Sequence, residues 1–169
     1  MGDGKLNHAE LCIIAVEWLY REFDCGVVVS GRRRGVLEMP DALGFLGRDS
    51  VLVECKATRQ DYRQDAKKII RQQPELGMGK WRIYLAPPGV IDPDTLPSGW
   101  GLAEAERRGG GWRVTPVRDS YTFERDAFAE IERLAADLAR SESYVEHLKT
   151  ERVYDEMRAE THAMLEEAG

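Results

Sequence analysis

The sequence predicts an α/β protein in which helices flank a mixed sheet and a long helical extension follows it. Three observations support this. An amphipathic helical pattern opens the chain, short apolar runs bounded by turn residues follow, and an acidic segment with helical periodicity closes it. We place the boundary where the composition changes, between a domain of residues 1–122 and an extension of residues 123–169.

Length and composition limit the class of protein. A chain of 169 residues is long enough for one domain with a core of its own and an appended element. It has no apolar run of membrane-spanning length, and its first residues lack a signal-peptide pattern, so we expect a cytoplasmic protein with no membrane partner. The three cysteines are odd in number, have no Cys-x-x-Cys spacing and lie beside apolar residues. This favours buried free thiols over a zinc site.

The net charge of −6 is unevenly distributed. Residues 1–122 carry 18 Lys and Arg against 17 Asp and Glu, a net +1, whereas residues 123–169 carry 6 against 13, a net −7. The first part is therefore free to present a basic face. The acidity of the extension argues against nucleic-acid binding there.

The first predicted element is a helix over residues 6–23, which Asn7 or Asp3 can cap. Glu10 lies three and four residues before apolar positions of this helix, so its carboxylate is expected on the inward face. A buried acid is costly unless it is paired or bound to a cation. Two interpretations stand. Glu10 either contributes its carboxylate to a functional site, a role that Glu17 on the same face could fill instead, or is a partly exposed acid beside the apolar stripe.

A strand at residues 27–30 leads into a turn that carries three consecutive arginines, Arg32, Arg33 and Arg34, between two glycines. Such a turn is either a solvated loop or a group that binds the backbone phosphates of a nucleic acid. The sequence leaves both open.

Asp41 and Glu54 lie on two predicted strands joined by Gly47-Arg48. If these two residues form the hairpin loop, Asp41 lies directly opposite Glu54 with the Cβ atoms about 5 Å apart, where like charges destabilise a sheet. A divalent cation that bridges the carboxylates removes this repulsion. Alternation along the second strand puts Glu54 and Lys56 on one face and the Cys55 side chain on the other. The Cys55 carbonyl then projects near the acids as a further ligand.

The segment after Lys56 is predicted to be a helix that Thr58 and Asp61 open through a capping pattern. Basic residues repeat every four positions along it and would form a ridge about 18 Å long. These residues are Arg59, Arg63, Lys67 and Arg71. Such a ridge is either a solvated face or a DNA contact, and its position next to the acidic pair favours the contact.

A strand at residues 81–86, a proline-rich loop and a hairpin formed by residues 102–106 and 112–117 complete the predicted sheet. Within the extension, apolar residues follow a three-four spacing that Ser141 interrupts. They are Ile131, Leu134, Leu138, Val145 and Leu148. Residues 123–140 are compatible with packing on the sheet of the same chain. The rest exceeds what a small sheet can cover, so we expect a homodimer.

Pro40-Asp41 followed by Glu54-Cys55-Lys56 resembles the signature of the PD-(D/E)XK nuclease superfamily. Over residues 36–117 the chain resembles its MmcB-like, DNA-repair-associated branch. Further matching text lies at Asp61-Tyr62, Asp65-x-Lys67, Tyr84–Gly89, Leu96-Pro97 and Gly101–Ala105. The resemblance implies a restriction-endonuclease-like core in αβββαβ order, with DNA as substrate and Mg²⁺ or Mn²⁺ as cofactor. It also implies that Glu10 completes the metal site.

The chemistry of these residues suits phosphodiester hydrolysis. Asp41 and Glu54 offer hard oxygen ligands for Mg²⁺, with the Cys55 carbonyl as a third, and the ion activates a bound water. Lys56 is a compact cation able to position the nucleophile or stabilise the transition state. We therefore expect a metal-dependent DNA endonuclease or repair-type nuclease.

Two other functions stand beside this one. A non-catalytic DNA-binding or regulatory protein could keep the same fold, although the complete set of Asp41, Glu54 and Lys56 favours the enzyme. A DNA mimic could act through the acidic extension, although the basic ridge argues against it. A plainly structural interpretation makes Glu54 and Lys56 an exposed pair on an edge strand.

Overall fold

The computed structural model of the chain describes residues 5–31 and 38–167. It divides into two compact units, residues 1–130 and 131–169. The first is an α/β unit with a six-stranded mixed sheet, and the second belongs to one long helix. The three arginines predicted to bind phosphates, Arg32, Arg33 and Arg34, lie outside the described residues.

Helix α1 (His8–Glu22) begins where the sequence predicts, with Asn7 as its N-cap. The Asn7 side chain accepts a hydrogen bond from the Glu10 amide, and the Glu10 carboxylate accepts one from the Asn7 amide. This reciprocal capping box satisfies two amides that have no partner within the helix. It also fixes the orientation of the first turn, which carries residues of the candidate site.

The sheet follows chain order from β1 to β6. Strands β1 to β3 are antiparallel neighbours, β4 is parallel to both β3 and β5, and β6 closes an antiparallel hairpin with β5. The strands are β1 (Val27–Ser30), β2 (Ala42–Leu46), β3 (Asp49–Cys55), β4 (Trp81–Ala86), β5 (Gly101–Arg108) and β6 (Gly111–Arg118). The predicted order of a helix, three strands, a helix and a further strand is confirmed.

The β2–β3 hairpin has the predicted two-residue loop. Leu46 pairs with Asp49 across Gly47-Arg48, and Ala42 pairs with Val53 at the other end. Gly47 has a φ of 58°, a left-handed conformation that glycine adopts without the steric cost of a Cβ. Continuing the register by one residue places Asp41, just before β2, opposite Glu54.

The predicted helix after Lys56 is interrupted. Helix α2 (Arg59–Asp65) ends early, and a short α3 (Ile69–Gln72) follows after Lys68, whose backbone is extended at φ −65° and ψ 139°. The prediction of one continuous helix through Arg71 is therefore wrong. The physical reason is tertiary, because the break lets the cations of Lys68 and Arg71 converge on the buried carboxylates of Glu54 and Asp65.

The core lies between α1 and one face of the sheet. Apolar residues of α1, including Leu11, Trp18 and Leu19, pack with Val51, Val53 and Cys55 of β3. Because side chains alternate along a strand, Glu54 and the following Lys56 point to the opposite side. The sheet therefore separates an apolar face from the face that carries the charged residues of the candidate site.

Helix α4 (Ala127–Glu167) has 41 residues, which corresponds to about 61 Å at 1.5 Å per residue. Four apolar residues of the predicted stripe are exposed on it: Ile131, Leu138, Val145 and Leu148. No helix among the described residues is both long and apolar enough to cross a membrane.

Candidate active site

A cleft of about 850 Å³ opens beside α1, where β2 begins and β3 ends. The predicted acids Asp41 and Glu54 and the predicted cation Lys56 all line this cleft. Helix α1 contributes His8 and Cys12 to it. The segment between α2 and α3 contributes one further cation, Lys68.

Asp41 is held from two sides. Its Oδ2 accepts a hydrogen bond of 2.8 Å from the Cys55 amide, and its Oδ1 lies 3.3 Å from Nε2 of His8. Burial, followed by the nearby charge of Glu54, raises the pKa of Asp41 above its ordinary value. The charge of Glu54 therefore disfavours ionisation of Asp41, in the direction that the hairpin register predicts.

Glu54 is buried, with only 2% of its side chain exposed. Its Oε2 lies 2.7 Å from the Lys56 ammonium and 3.7 Å from that of Lys68. Its Oε1 lies 3.1 Å from the Arg71 guanidinium, but the alignment is not that of a hydrogen bond. Oε1 of Glu54 is thus close to a cation but accepts no hydrogen bond.

The Lys56 ammonium lies between two acids. It donates to Glu54 at 2.7 Å and lies 3.2 Å from Oδ1 of Asp65. Burial alone would lower its pKa, but the charges of Glu54 and then Asp65 outweigh burial, so the pKa of Lys56 is raised. The side chain is therefore a permanent cation at neutral pH, suited to electrostatic stabilisation and not to work as a general base.

Behind these residues, Arg71 joins three acids. Its guanidinium lies 2.7 Å from Asp65 and 2.9 Å from Glu38, in addition to its contact with Glu54. The ring of Trp100 covers the guanidinium at 4.4 Å, a distance suited to a cation–π contact. Arg71 therefore holds the acids of the cluster in place.

Asp65 accepts a 2.7 Å hydrogen bond from the Tyr84 hydroxyl and lies 2.6 Å from the Lys68 ammonium. Burial would raise its pKa, but the hydrogen bond and charge of Arg71, followed by the charge of Lys56, lower it well below the ordinary value. Asp65 is thus fully ionised in the folded protein near neutral pH. Burial raises the pKa of Tyr84, so its hydroxyl remains a donor.

The whole cluster carries a small negative charge. Its acids are Glu38, Asp41, Glu54 and Asp65, and its cations are Lys56, Lys68 and Arg71. Four carboxylates against three cations give a formal charge of −1. A divalent cation at the cleft is compatible with this balance. The electrostatically disfavoured charge of Asp41 identifies where a cation is best accommodated, because both oxygens of Glu54 already lie near protein cations.

Cys55 follows the prediction in one respect. Its thiol is buried, 1% exposed, in the core on the opposite side from Glu54 and Lys56. Cys12 of α1 packs against the core that contains this thiol, and the influence of Cys55 lowers the pKa of Cys12 against the effect of burial. All three cysteines are free, but Cys12 is only half-buried and faces the cleft.

Glu10 does not belong to this cleft, and the prediction that it completes the metal site is wrong. Its carboxylate closes the capping box with Asn7 and pairs with Arg107 of β5. Both roles satisfy the acid at the helix end without a metal. The fallback, Glu17, does line the cleft, but its Oε2 accepts a 3.1 Å hydrogen bond from the Trp112 indole.

The predicted basic ridge is reduced to three members. Arg59, Arg63 and Lys67 are exposed, and Arg59 donates to the Gly89 carbonyl at 3.0 Å. The fourth member, Arg71, has only 2% of its side chain exposed and contacts acids of the cluster. Its assignment to the DNA-contact surface is therefore wrong, because the break between α2 and α3 turns it inward.

The residues that sequence reasoning did not assign to the site come from α1, from α2 and the segment that follows it, and from the segment before β2. They are His8, Cys12, Glu38, Asp65 and Lys68. His8 and Cys12 are four residues apart, a spacing that places two side chains on one helix face. The sequence showed this spacing, but it did not show that this face of α1 lies next to Asp41.

Comparison with solved structures finds a similar fold in the SPO1766 protein of unknown function from Silicibacter pomeroyi, with a TM-score of 0.58 and 21% sequence identity. The similarity covers 85% of this chain and 94% of that chain. No family model matches the chain, and no curated protein matches it. These comparisons support the α/β fold and assign no function.

Proposed function

We propose that this chain is a Mg²⁺-dependent nuclease that hydrolyses DNA phosphodiester bonds, on a restriction-endonuclease-like fold of the PD-(D/E)XK type. One observation carries the proposal: Asp41, Glu54 and Lys56 line one cleft where β2 begins and β3 ends. The order of α1, three antiparallel strands, α2 and the parallel β4 agrees with it. DNA repair or mobile-element biology is the setting that the resemblance suggests.

Asp41, Glu54 and the backbone carbonyl of Cys55 would hold the magnesium ion. Oxygen ligands suit Mg²⁺, and only a few of its positions need be filled by protein, since water and substrate phosphate complete the octahedron. When bound, the ion supplies an activated water and neutralises charge that develops on the phosphate. Mn²⁺ is expected to replace it because it accepts the same ligands.

The chain's own cations act on the scissile phosphate. Lys56 is held at a fixed position by Glu54 and Asp65, so it stabilises charge on the phosphate oxygens without reorganising. Lys68 lies at the same cleft with 45% of its side chain exposed, which allows it to contact a substrate directly. The two ammonium groups together favour an anionic ligand.

DNA would approach along the exposed part of the basic surface. Arg59, Arg63 and Lys67 are exposed on α2 and the turn after it. Contacts of such residues with phosphates position a duplex without reading its sequence. The proposed interface therefore predicts binding that weakens steeply as salt concentration rises.

A second candidate function is a non-catalytic DNA-binding or regulatory protein on the same fold. The observation that favours it is the internal pairing of Glu54, both of whose carboxylate oxygens lie near protein cations. Such pairing neutralises the acid without a metal. The exposed basic residues would serve this function equally well.

We also propose that two copies of the chain associate through α4. Ile131, Leu138, Val145 and Leu148 are 44–63% exposed, although they share the heptad-like spacing that buries such residues in paired helices. Pairing with a second copy removes this apolar surface from water.

Incubation of the pure protein with labelled linear, nicked, single-stranded and branched DNAs, in Mg²⁺, Mn²⁺ or EDTA, tests the nuclease. We expect cleavage of at least one substrate with either metal and none in EDTA. Binding of these DNAs without cleavage of any would support the non-catalytic function instead.

A further inference from the structure

His8 and Cys12 of α1 and Asp41 beside β2 bring a nitrogen, a sulfur and an oxygen together at the wall of the cleft. One ligand atom from each of the three residues lies within 4.8 Å of the others. The set differs chemically from the carboxylate pair proposed for Mg²⁺, because Mg²⁺ prefers oxygen, whereas imidazole and thiolate favour zinc and related ions.

Two of the three ligand separations match those of a tetrahedral zinc site, and the third, between sulfur and oxygen, is no more than 4.8 Å. Tetrahedral geometry, with zinc–sulfur distances of about 2.3 Å and zinc–nitrogen and zinc–oxygen distances of about 2.0–2.1 Å, puts sulfur about 3.6 Å from nitrogen and nitrogen about 3.4 Å from oxygen. The Sγ of Cys12 lies 3.5 Å from Nε2 of His8. The same Nε2 lies 3.3 Å from Oδ1 of Asp41.

The surroundings hold these ligands in position. Asn7 caps α1 and fixes the turn that carries His8, and the four-residue spacing puts Cys12 on the same face. The Cys55 amide donates to Oδ2 of Asp41, which leaves Oδ1 directed toward His8. Hydrogen bonds of this kind orient ligating carboxylates in metal sites.

The site is also open to solvent and suitably charged. The His8 side chain is 49% exposed and Cys12 is half-buried, so an ion can enter from the cleft. The carboxylate of Asp41 and a thiolate at Cys12 together balance the charge of a divalent ion. Three protein ligands leave a fourth tetrahedral position for water, as in zinc sites that are not purely structural.

We propose that His8, Cys12 and Asp41 bind a zinc-class transition-metal ion, in addition to any function of the cleft with Mg²⁺. The site needs no DNA and no cleavage activity, so it stands or fails separately from the proposed nuclease. Asp41 belongs to both ligand sets, and an ion held by His8 and Cys12 would therefore draw that carboxylate away from a magnesium ion.

Titration of the 169-residue protein with Co²⁺ tests this site, because cobalt takes zinc ligands and reports a bound thiolate by a charge-transfer band in the near ultraviolet. We expect one equivalent of Co²⁺ to produce the band and Zn²⁺ or EDTA to abolish it. Cys12→Ser should remove the band. His8→Ala should weaken Co²⁺ binding at least tenfold, since loss of even an outer-shell partner costs about 10–100-fold in affinity.

Two matched variants serve as controls. Cys25→Ala removes a buried thiol of the core, and His147→Ala removes an exposed imidazole of α4, so both should keep the band at the wild-type affinity. Circular dichroism verifies the fold of each variant. The proposal is overturned if the wild-type protein gives no thiolate band, or if the band persists in Cys12→Ser.

Discussion

The carboxylate of Asp41 accepts a 2.8 Å hydrogen bond from the backbone amide of Cys55, one residue beyond Glu54 on the neighbouring strand. This contact continues the β2–β3 pairing past the end of β2 through a side chain. It holds Asp41 near Glu54 and Lys56 although Asp41 itself lies outside the ladder. The candidate site is therefore a direct consequence of hairpin register.

Arg71→Met should destabilise the first unit strongly. The substitution leaves Glu38, Glu54 and Asp65 without their shared cation, and breaking a buried ion pair from one side typically costs about 3–5 kcal/mol. The free energy of unfolding from urea titration measures the effect.

Arg63→Met is the matched control for that variant, because Arg63 is exposed on α2. A substitution there should change the free energy of unfolding by no more than about 0.5 kcal/mol. Equal effects of the two variants would show that Arg71 does not hold the cluster together.

Asp65 predicts a specific pH dependence of stability. Its pKa is lower in the folded protein than the ordinary value of 3.8, so its contribution to stability is complete above that value. The contribution declines as the pH falls below 3.8 toward the folded pKa. Wild-type protein should therefore lose more free energy of unfolding between pH 5 and pH 3 than Asp65→Asn does.

Asp41 has the opposite effect on stability, because its pKa is raised in the folded protein and its protonation on acidification therefore stabilises the fold. Asp41→Asn removes this gain, so the variant should lose stability more steeply than wild-type protein as the pH falls. Urea titrations at several pH values measure both slopes. Identical slopes in Asp65→Asn and wild-type protein would contradict the assignment of Asp65 as an ionised partner of Arg71.

Gly44→Ala should destabilise the packing of α1 on β2. A Cβ at this position would lie 2.6 Å from Sγ of Cys25 and 3.3 Å from Leu19, both in the core. Overpacking of this kind costs about 1–3 kcal/mol. Gly26→Ala is the control, since a Cβ there meets no atom within 4 Å. A melting temperature lowered equally in both variants would argue against close packing at Gly44.

Val145→Glu combined with Leu148→Glu should convert a dimer to a monomer, because each puts a charge on the exposed apolar stripe of α4. Deletion of residues 141–169 should have the same result. Lys149→Gln, on the same helix but off the stripe, should leave the mass unchanged. Light scattering measures the mass, and a wild-type monomer or an unchanged mass in the charged variants would reject self-association through α4.

Local rules were sufficient for much of the fold. Asn7 and Thr58 cap the helices that they were predicted to open. The two-residue loop at Gly47-Arg48 fixed the β2–β3 register, and strand alternation then separated Glu54 from the Cys55 side chain. These features depend on a few neighbouring residues, so sequence alone can specify them.

The rest depended on contacts between distant segments. The helical spacing of residues 59–71 gave no sign that Arg71 would turn inward, because its partners Glu38 and Glu54 come from other parts of the chain. The three-residue spacing of Asn7 and Glu10 does match a capping box, and a capping role for Glu10 accounts for this acid without a metal site. The meeting of His8 with Asp41 depended on where α1 crosses the sheet.

Single-turnover cleavage of labelled DNA by Lys56→Met, compared with wild-type protein in Mg²⁺ and in EDTA, tests the central claim most directly. Lys80→Met is the control, because Lys80 pairs with Asp49 outside the cleft. We predict cleavage by wild-type protein and by Lys80→Met in Mg²⁺ alone, and a rate lower by about 10²–10³ in a folded Lys56→Met, the usual cost of losing one stabilising donor. Cleavage by Lys56→Met at the wild-type rate would contradict the claim that this cleft performs the chemistry.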